Sequence, residues 1–87
     1  MRTITTASGF TFEIDENRAN DMELFDALVD LQGGNKIALA TVVDKIMGTD
    51  KKRLYDHLRA ENGTVPVEKV SDEVLEIMQQ LRDAKNS

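Results

Sequence analysis

Apolar and polar residues alternate over positions 2–14, and the spacing then becomes helical for most of the chain. Ile4, Phe10, Phe12 and Ile14 share one parity, while Thr3, Thr5, Thr11 and Glu13 share the other. A period of two carried by Thr, Ile and Phe predicts half-buried strands. Ala7-Ser8-Gly9 breaks the alternation with turn chemistry, so a β-hairpin is expected over residues 2–14. Two strands alone do not hold together in water, so helices must cover the apolar face.

Four helices are expected, at about 21–32, 36–47, 50–61 and 71–84. In the first, Leu24, Phe25, Leu28, Val29 and Leu31 fall at helical spacing behind a cap at Asn20 or Asp21, and Gly33-Gly34 stops it. Asn35 is expected to cap the second, whose buried stripe is Ile37, Leu39, Val42, Val43, Ile46 and Met47, with Gly48 as terminator. Thr49 is expected to cap the third, with Leu54, Tyr55 and Leu58 inward and Asn62-Gly63 closing it. Residues 64–70 hold the single proline and read as a linker that pins Val65, Val67 and Val70 to the core. Ser71 is the expected cap of the last helix, backed by Asp72 and Glu73, with Val74, Leu75, Ile77, Met78 and Leu81 as its stripe.

The fold class that follows is α+β, mostly α: an N-terminal β-hairpin and a compact four-helix domain in one unit spanning residues 1–87. The expected core is Ile4, Phe12, Leu24, Phe25, Leu28, Leu39, Val43, Ile46, Leu54, Leu58, Val74, Ile77 and Leu81. A chain of 87 residues buries only about 60–65% of its unfolded surface. Three Phe, one Tyr and no Trp make that core mainly aliphatic. A small aliphatic core leaves room for a partner or a second copy to add to it.

Charge narrows the function. The net charge is −5, which disfavours nucleic acid and anionic membranes. It is unevenly spread: residues 13–30 carry seven acids against Arg18, whereas residues 36–61 carry six bases against four acids. Opposite patches of this kind raise head-to-tail self-association as one consequence, with ordinary solvated helix faces as the plainer one. No apolar run approaches the roughly 20 residues that span a bilayer. No apolar stretch follows Arg2 in the manner of a secretory leader, and an intracellular, soluble protein is expected.

Candidate chemistry is sparse. With no cysteine and one histidine, a zinc site has no second soft ligand. His57 beside Asp56 is read as a surface histidine, and Asp72, Glu73 and Glu76 as acids favoured near a helix N-terminus rather than an acid–base set. The acids of residues 15–30 lack the glycine and bidentate Glu of a calcium loop, and Gly33-Gly34 has no phosphate-loop Lys-Ser/Thr after it. No catalytic, cofactor or metal site is expected, and the chain is read as a binding protein rather than an enzyme. Residues 40–59 outline a helix-turn-helix whose second helix opens Lys51-Lys52-Arg53, so a small DNA-binding regulator stays open as an alternative. So does an inhibitor or antitoxin-type binder. The candidate partner contacts are Met22, Leu75, Met78 and Arg82, with methionine suited to adaptable surfaces.

The ordered set of segments carries a resemblance. It runs from a hairpin ending Phe12-Glu13-Ile14-Asp15, through Asp21-Met22-Glu23-Leu24-Phe25-Asp26-Ala27-Leu28, to a helix closing Lys45-Ile46-Met47-Gly48, then Asn62-Gly63-Thr64-Val65-Pro66, an acidic helix and Lys85-Asn86-Ser87. Over nearly its whole length the chain resembles the tail assembly chaperones of long-tailed phages and prophages of Gram-positive bacteria. That resemblance implies binding of the tape measure protein, recruitment of the major tail protein, action in the host cytoplasm and absence from the finished virion. It also implies no cofactor, and two products that differ by a frameshift, of which the closing Lys85-Asn86-Ser87 suits the shorter.

Overall fold

The computed structural model describes residues 1–86, with side chains described as far as Arg82. Strands β1 (Arg2–Thr5) and β2 (Thr11–Ile14) form a two-stranded antiparallel sheet in which Ile4 lies opposite Phe12 and Arg2 opposite Ile14. This register puts Ile4, Phe12 and Ile14 on one face, and all three are buried together with Phe10, as the parity predicts. Thr5 and Thr11 pair on the outer face through their hydroxyls at 3.0 Å.

Four α-helices follow: α1 (Met22–Gln32), α2 (Ala38–Met47), α3 (Lys51–Leu58) and α4 (Val67–Asn86). The fold is therefore mostly helical with an N-terminal hairpin, the class expected. A 3-10 turn, Glu16–Ala19, leads from the hairpin into α1. Helix α2 is the central element. Its Val42, Val43, Ile46 and Met47 are fully buried, and α1, α3 and α4 all pack against it.

Asp21 is the cap of α1. Its Oδ1 accepts from the amides of Glu23 at 2.8 Å and Leu24 at 3.3 Å, which satisfies two of the amides a helix start leaves unpaired. Gly48 ends α2 with φ +53 and ψ −123, a conformation that side-chain-bearing residues avoid.

Several boundaries differ from expectation. The last helix starts at Val67 rather than 71. The carbonyl of Pro66 accepts the Val70 amide at 3.2 Å, so proline sits where the missing N–H costs nothing. Residues 67–70 are thus helix and not linker. Val70 is buried and Val65 half-buried, but Val67 is exposed. Ser71 lies in the second turn and caps nothing, and Asp72, Glu73 and Glu76 lie beyond the first turn, where only Glu68 is acidic.

The second helix starts at 38 rather than 36 because Asn35 closes a turn ahead of it, with Oδ1 accepting the Ile37 amide at 3.1 Å. Ile37 is left 86% exposed instead of joining the buried stripe. The third helix is shorter than 50–61. Gly48–Asp50 form a 3-10 turn, so Thr49 is not its cap. Arg59 is extended, and the Ala60 amide bonds the Thr64 carbonyl at 2.7 Å across the Asn62-Gly63 turn. Among the expected core residues, Leu28 is half-buried and Phe25 is exposed. Of the closing Lys85-Asn86-Ser87, to which the resemblance drew attention, Ser87 lies outside the described residues.

Candidate partner-binding groove

Helix α1 carries two apolar stripes, and α2 can cover only one. Leu24, Ala27 and Leu31 repeat at i, i+3, i+7 and are buried. Met22, Phe25 and Val29 repeat with the same spacing two residues earlier, about 160° round the helix, and are 66%, 58% and 54% exposed. Leu28 lies between the two stripes and is half-buried.

Helix α4 likewise has two flanks beside its buried seam of Val70, Val74, Ile77 and Leu81. On one flank Leu75, Met78 and Arg82 stand at i, i+3, i+7. They border a trough opposite α1 with two adjoining hollows: Leu24, Phe25, Leu28, Met78 and Leu81 line one, and Phe25, Leu28, Val29, Leu75 and Met78 line the other. Arg82 borders both hollows. The two helices run antiparallel along it, since the α1 N-terminus faces Leu81 and Arg82 while Leu31 and Gly34 face Val67 and Ser71.

Three of the four candidate contacts, Leu75, Met78 and Arg82, are thereby brought onto one wall. Met22 lies at the N-terminal end of the facing stripe but does not line the hollows. Phe25, which the sequence assigned to the core, and Val29, which it set only at helical spacing in α1, are the residues that reasoning missed. The signal was present in the width of that stripe: five apolar positions in eleven residues span a broader arc than one neighbouring helix covers.

The other flank of α4 holds the hairpin. The Ala7 amide donates to Glu76 Oε1 and Oε2 at 3.1 and 2.9 Å. The Gln80 carboxamide donates to Glu76 Oε2 and to the Thr5 carbonyl, each at 2.9 Å. His57 adds a second tie, with Nε2 3.1 Å from Ser8 Oγ and 3.2 Å from the Ser8 carbonyl, and its ring 5.4 Å from that of Phe10. A Ser–His contact raises nucleophilic chemistry, yet among the described residues no carboxylate is hydrogen-bonded to His57 to orient it. The pair works as a clasp between hairpin and α3.

The bases of the middle segment are largely engaged within the chain. Lys45 Nζ lies 3.3 Å from Asp21 and 3.6 Å from Glu23. Lys51 pairs with Asp44 at 2.7 Å, Arg53 with Asp50 at 2.9 Å and Arg59 with Asp56 at 2.9 Å. Arg53 also donates to the Thr11 carbonyl and stands over the Phe10 ring. Lys45 and Lys51 are held above their ordinary values by the hydrogen bonds they donate to Asp21 and Asp44. Lys51 and Arg53 at the start of α3 are thus paired with neighbouring acids, which offsets part of the basic face that the helix-turn-helix outline suggested.

Among the described residues no group of three or more His, Cys, Asp or Glu is placed to hold a metal ion. Among them, too, no helix is long and apolar enough to cross a membrane. No family model, curated protein or solved structure matches the chain.

Proposed function

We propose that the protein is a tail assembly chaperone of a long-tailed phage or prophage, acting in the host cytoplasm by protein–protein contact and without catalysis. Its clients in this reading are the tape measure protein, which it keeps soluble, and the major tail protein, which it helps recruit. The observation that carries the proposal is the exposed apolar stripe Met22-Phe25-Val29, of which Phe25 and Val29 face Leu75 and Met78 across an open groove. Exposed apolar residues grouped in this way mark interaction surfaces, and two methionines make the surface adaptable. The order of segments quoted above supplies the particular client. The net charge of −5 would keep a complex with an aggregation-prone chain in solution.

Co-expression with the tape measure protein tests the reading. The expected result is a larger soluble fraction of that protein and a complex recovered by pull-down, both lost on Phe25→Ser. No complex and unchanged solubility overturn it.

A further inference from the structure

One base borders both hollows, and it selects what they hold. Resting on the reading of this groove as a client surface, we propose that its occupant is an apolar helical segment with a single acid set between its anchors, and that Arg82 receives that acid.

Apart from Arg82 the lining of the groove is uncharged. Its remaining residues are apolar, or are the neutral amides Gln32 and Gln79. Arg82 is exposed and borders both hollows, which puts it where they adjoin. The residues three and four places from it along α4, where a helical partner would stand, are Met78, Gln79, Lys85 and Asn86, none of them an acid. On the facing wall, Asp21 and Glu23 are drawn to Lys45, and Asp26 and Asp30 line neither hollow. Among the described residues Arg82 forms no ion pair, whereas Lys51, Arg53 and Arg59 each meet an acid. A guanidinium left in this way at the edge of an apolar trough offers a planar fork that fits a carboxylate.

From Leu75 to Arg82 the α4 wall runs about two turns, roughly 10 Å. A helix laid along it would seat anchors at i, i+3 or i+4, and i+7 in the two hollows. An acid between those anchors then comes level with Arg82. The acid is single because a chain of net charge −5 repels a strongly acidic segment at long range. The same repulsion makes a second copy a poorer occupant, since it would bring its own −5 and the Asp26 and Asp30 that flank its exposed stripe.

The test uses synthetic helical peptides with identical leucine anchors and one guest residue between them, glutamate, glutamine or lysine, placed on each flank in turn. Each is titrated against the full chain by fluorescence anisotropy, and contacts are mapped by amide and methyl shift changes. On one flank the glutamate peptide is expected to bind about two- to fivefold tighter than the glutamine peptide, and the lysine peptide more weakly than either. Shifts are expected at Phe25, Val29, Leu75 and Met78. Arg82→Gln should erase the glutamate preference, and Arg82→Glu should transfer it to lysine. Arg82 is exposed, and the ranking and shift map on the unaltered chain stand whether or not the variants fold.

The proposal is overturned if no peptide binds, if the guest residue changes nothing on either flank, if the preference survives Arg82→Gln, if the shifts fall on another face, or if sedimentation shows the stripe already covered by a second copy. Preference for lysine on the unaltered chain removes the charge inference and leaves the chaperone reading intact. A glutamate peptide seated in the groove through Arg82, with no effect of the protein on tape measure protein solubility, does the reverse.

Discussion

The Arg18 guanidinium fills the space that a side chain on Gly48 would need: its Nη1 lies 2.8 Å from where a Cβ at that position would stand. The same nitrogen donates to the Ile46 carbonyl at 3.2 Å, so one side chain from the turn before α1 closes the C-terminus of α2. A cation at a helix C-terminus also meets the favourable end of its dipole. Gly48→Ala should therefore destabilise the fold twice over, by backbone strain at φ +53 and by displacing Arg18, at about 1–3 kcal/mol. Arg18→Ala alone should cost about 1 kcal/mol. The two should not add, because without Arg18 only the strain remains. Urea unfolding of both single variants and the double variant checks this, and simple additivity would contradict it.

Asp21 gives the fold a defined acid sensitivity. The Leu24 amide holds its carboxyl below the ordinary value of 3.8, with the Glu23 amide and Lys45 acting in the same direction against partial desolvation. A folded value below the unfolded one means that the carboxylate stabilises the fold at all pH above the unfolded value, and that this contribution is lost as pH falls through the folded one. Asn can still cap a helix but cannot titrate. The stability difference between the natural chain and Asp21→Asn should thus be constant near neutrality and shrink below about pH 4. Thermal unfolding across that range measures it, and a difference that grew on acidification would contradict the assignment.

Glu76 fixes the hairpin turn from the far end of the chain. Glu76→Ala removes the acceptor of the Ala7 amide and one partner of Gln80. A loss of about 1–2 kcal/mol is expected, concentrated at the turn. Amide exchange at Ala7 should quicken well beyond that at Val43, which lies in the central helix. Uniform quickening would instead mean that the bond supports the whole fold equally.

Phe25 and Ile77 should separate binding from folding. Phe25→Ser replaces an exposed side chain and is expected to shift stability by less than about 0.5 kcal/mol while abolishing client binding. Ile77→Ala opens a cavity in the seam of α4 and should cost about 2–5 kcal/mol. Denaturation and pull-down of the two variants side by side distinguish these effects. A Phe25 variant that unfolds like the Ile77 one would place Phe25 in the core after all.

Much of this fold was legible in the sequence where local rules suffice. Parity alone placed Ile4, Phe10, Phe12 and Ile14 on the buried face, and Asp21 announced itself as a cap. Phe25 was misplaced because spacing shows that a residue lies within an apolar arc, but not how wide an arc the neighbouring helix covers. Ser71 looked like a helix start because Ser-Asp-Glu is good capping chemistry, yet Pro66 supplies a start one turn sooner that the local pattern does not rank. Leu75, Met78 and Arg82 could be grouped from the sequence, since they share one face of one helix. Their facing wall on α1 could not, because it depends on both helices packing on α2. The Ser8–His57 clasp joins residues 49 positions apart, and no periodicity signals such a meeting.

The bonds between hairpin and α4 also order events in time. Thr5 and Ala7 meet Gln80 and Glu76 across separations of 75 and 69 positions. During synthesis at about 5–20 residues per second, roughly 4–14 s pass between the appearance of the hairpin and that of its anchors. Contacts so distant along the chain are also slow to close once the chain is released. The hairpin is made before both helices that secure it, α3 through His57 and α4 through Glu76 and Gln80, so a nascent chain carries Phe10 and Phe12 without those anchors until the helices follow. Under the proposed function, a protein that shelters another chain's apolar segments passes through an interval in which its own are unsheltered.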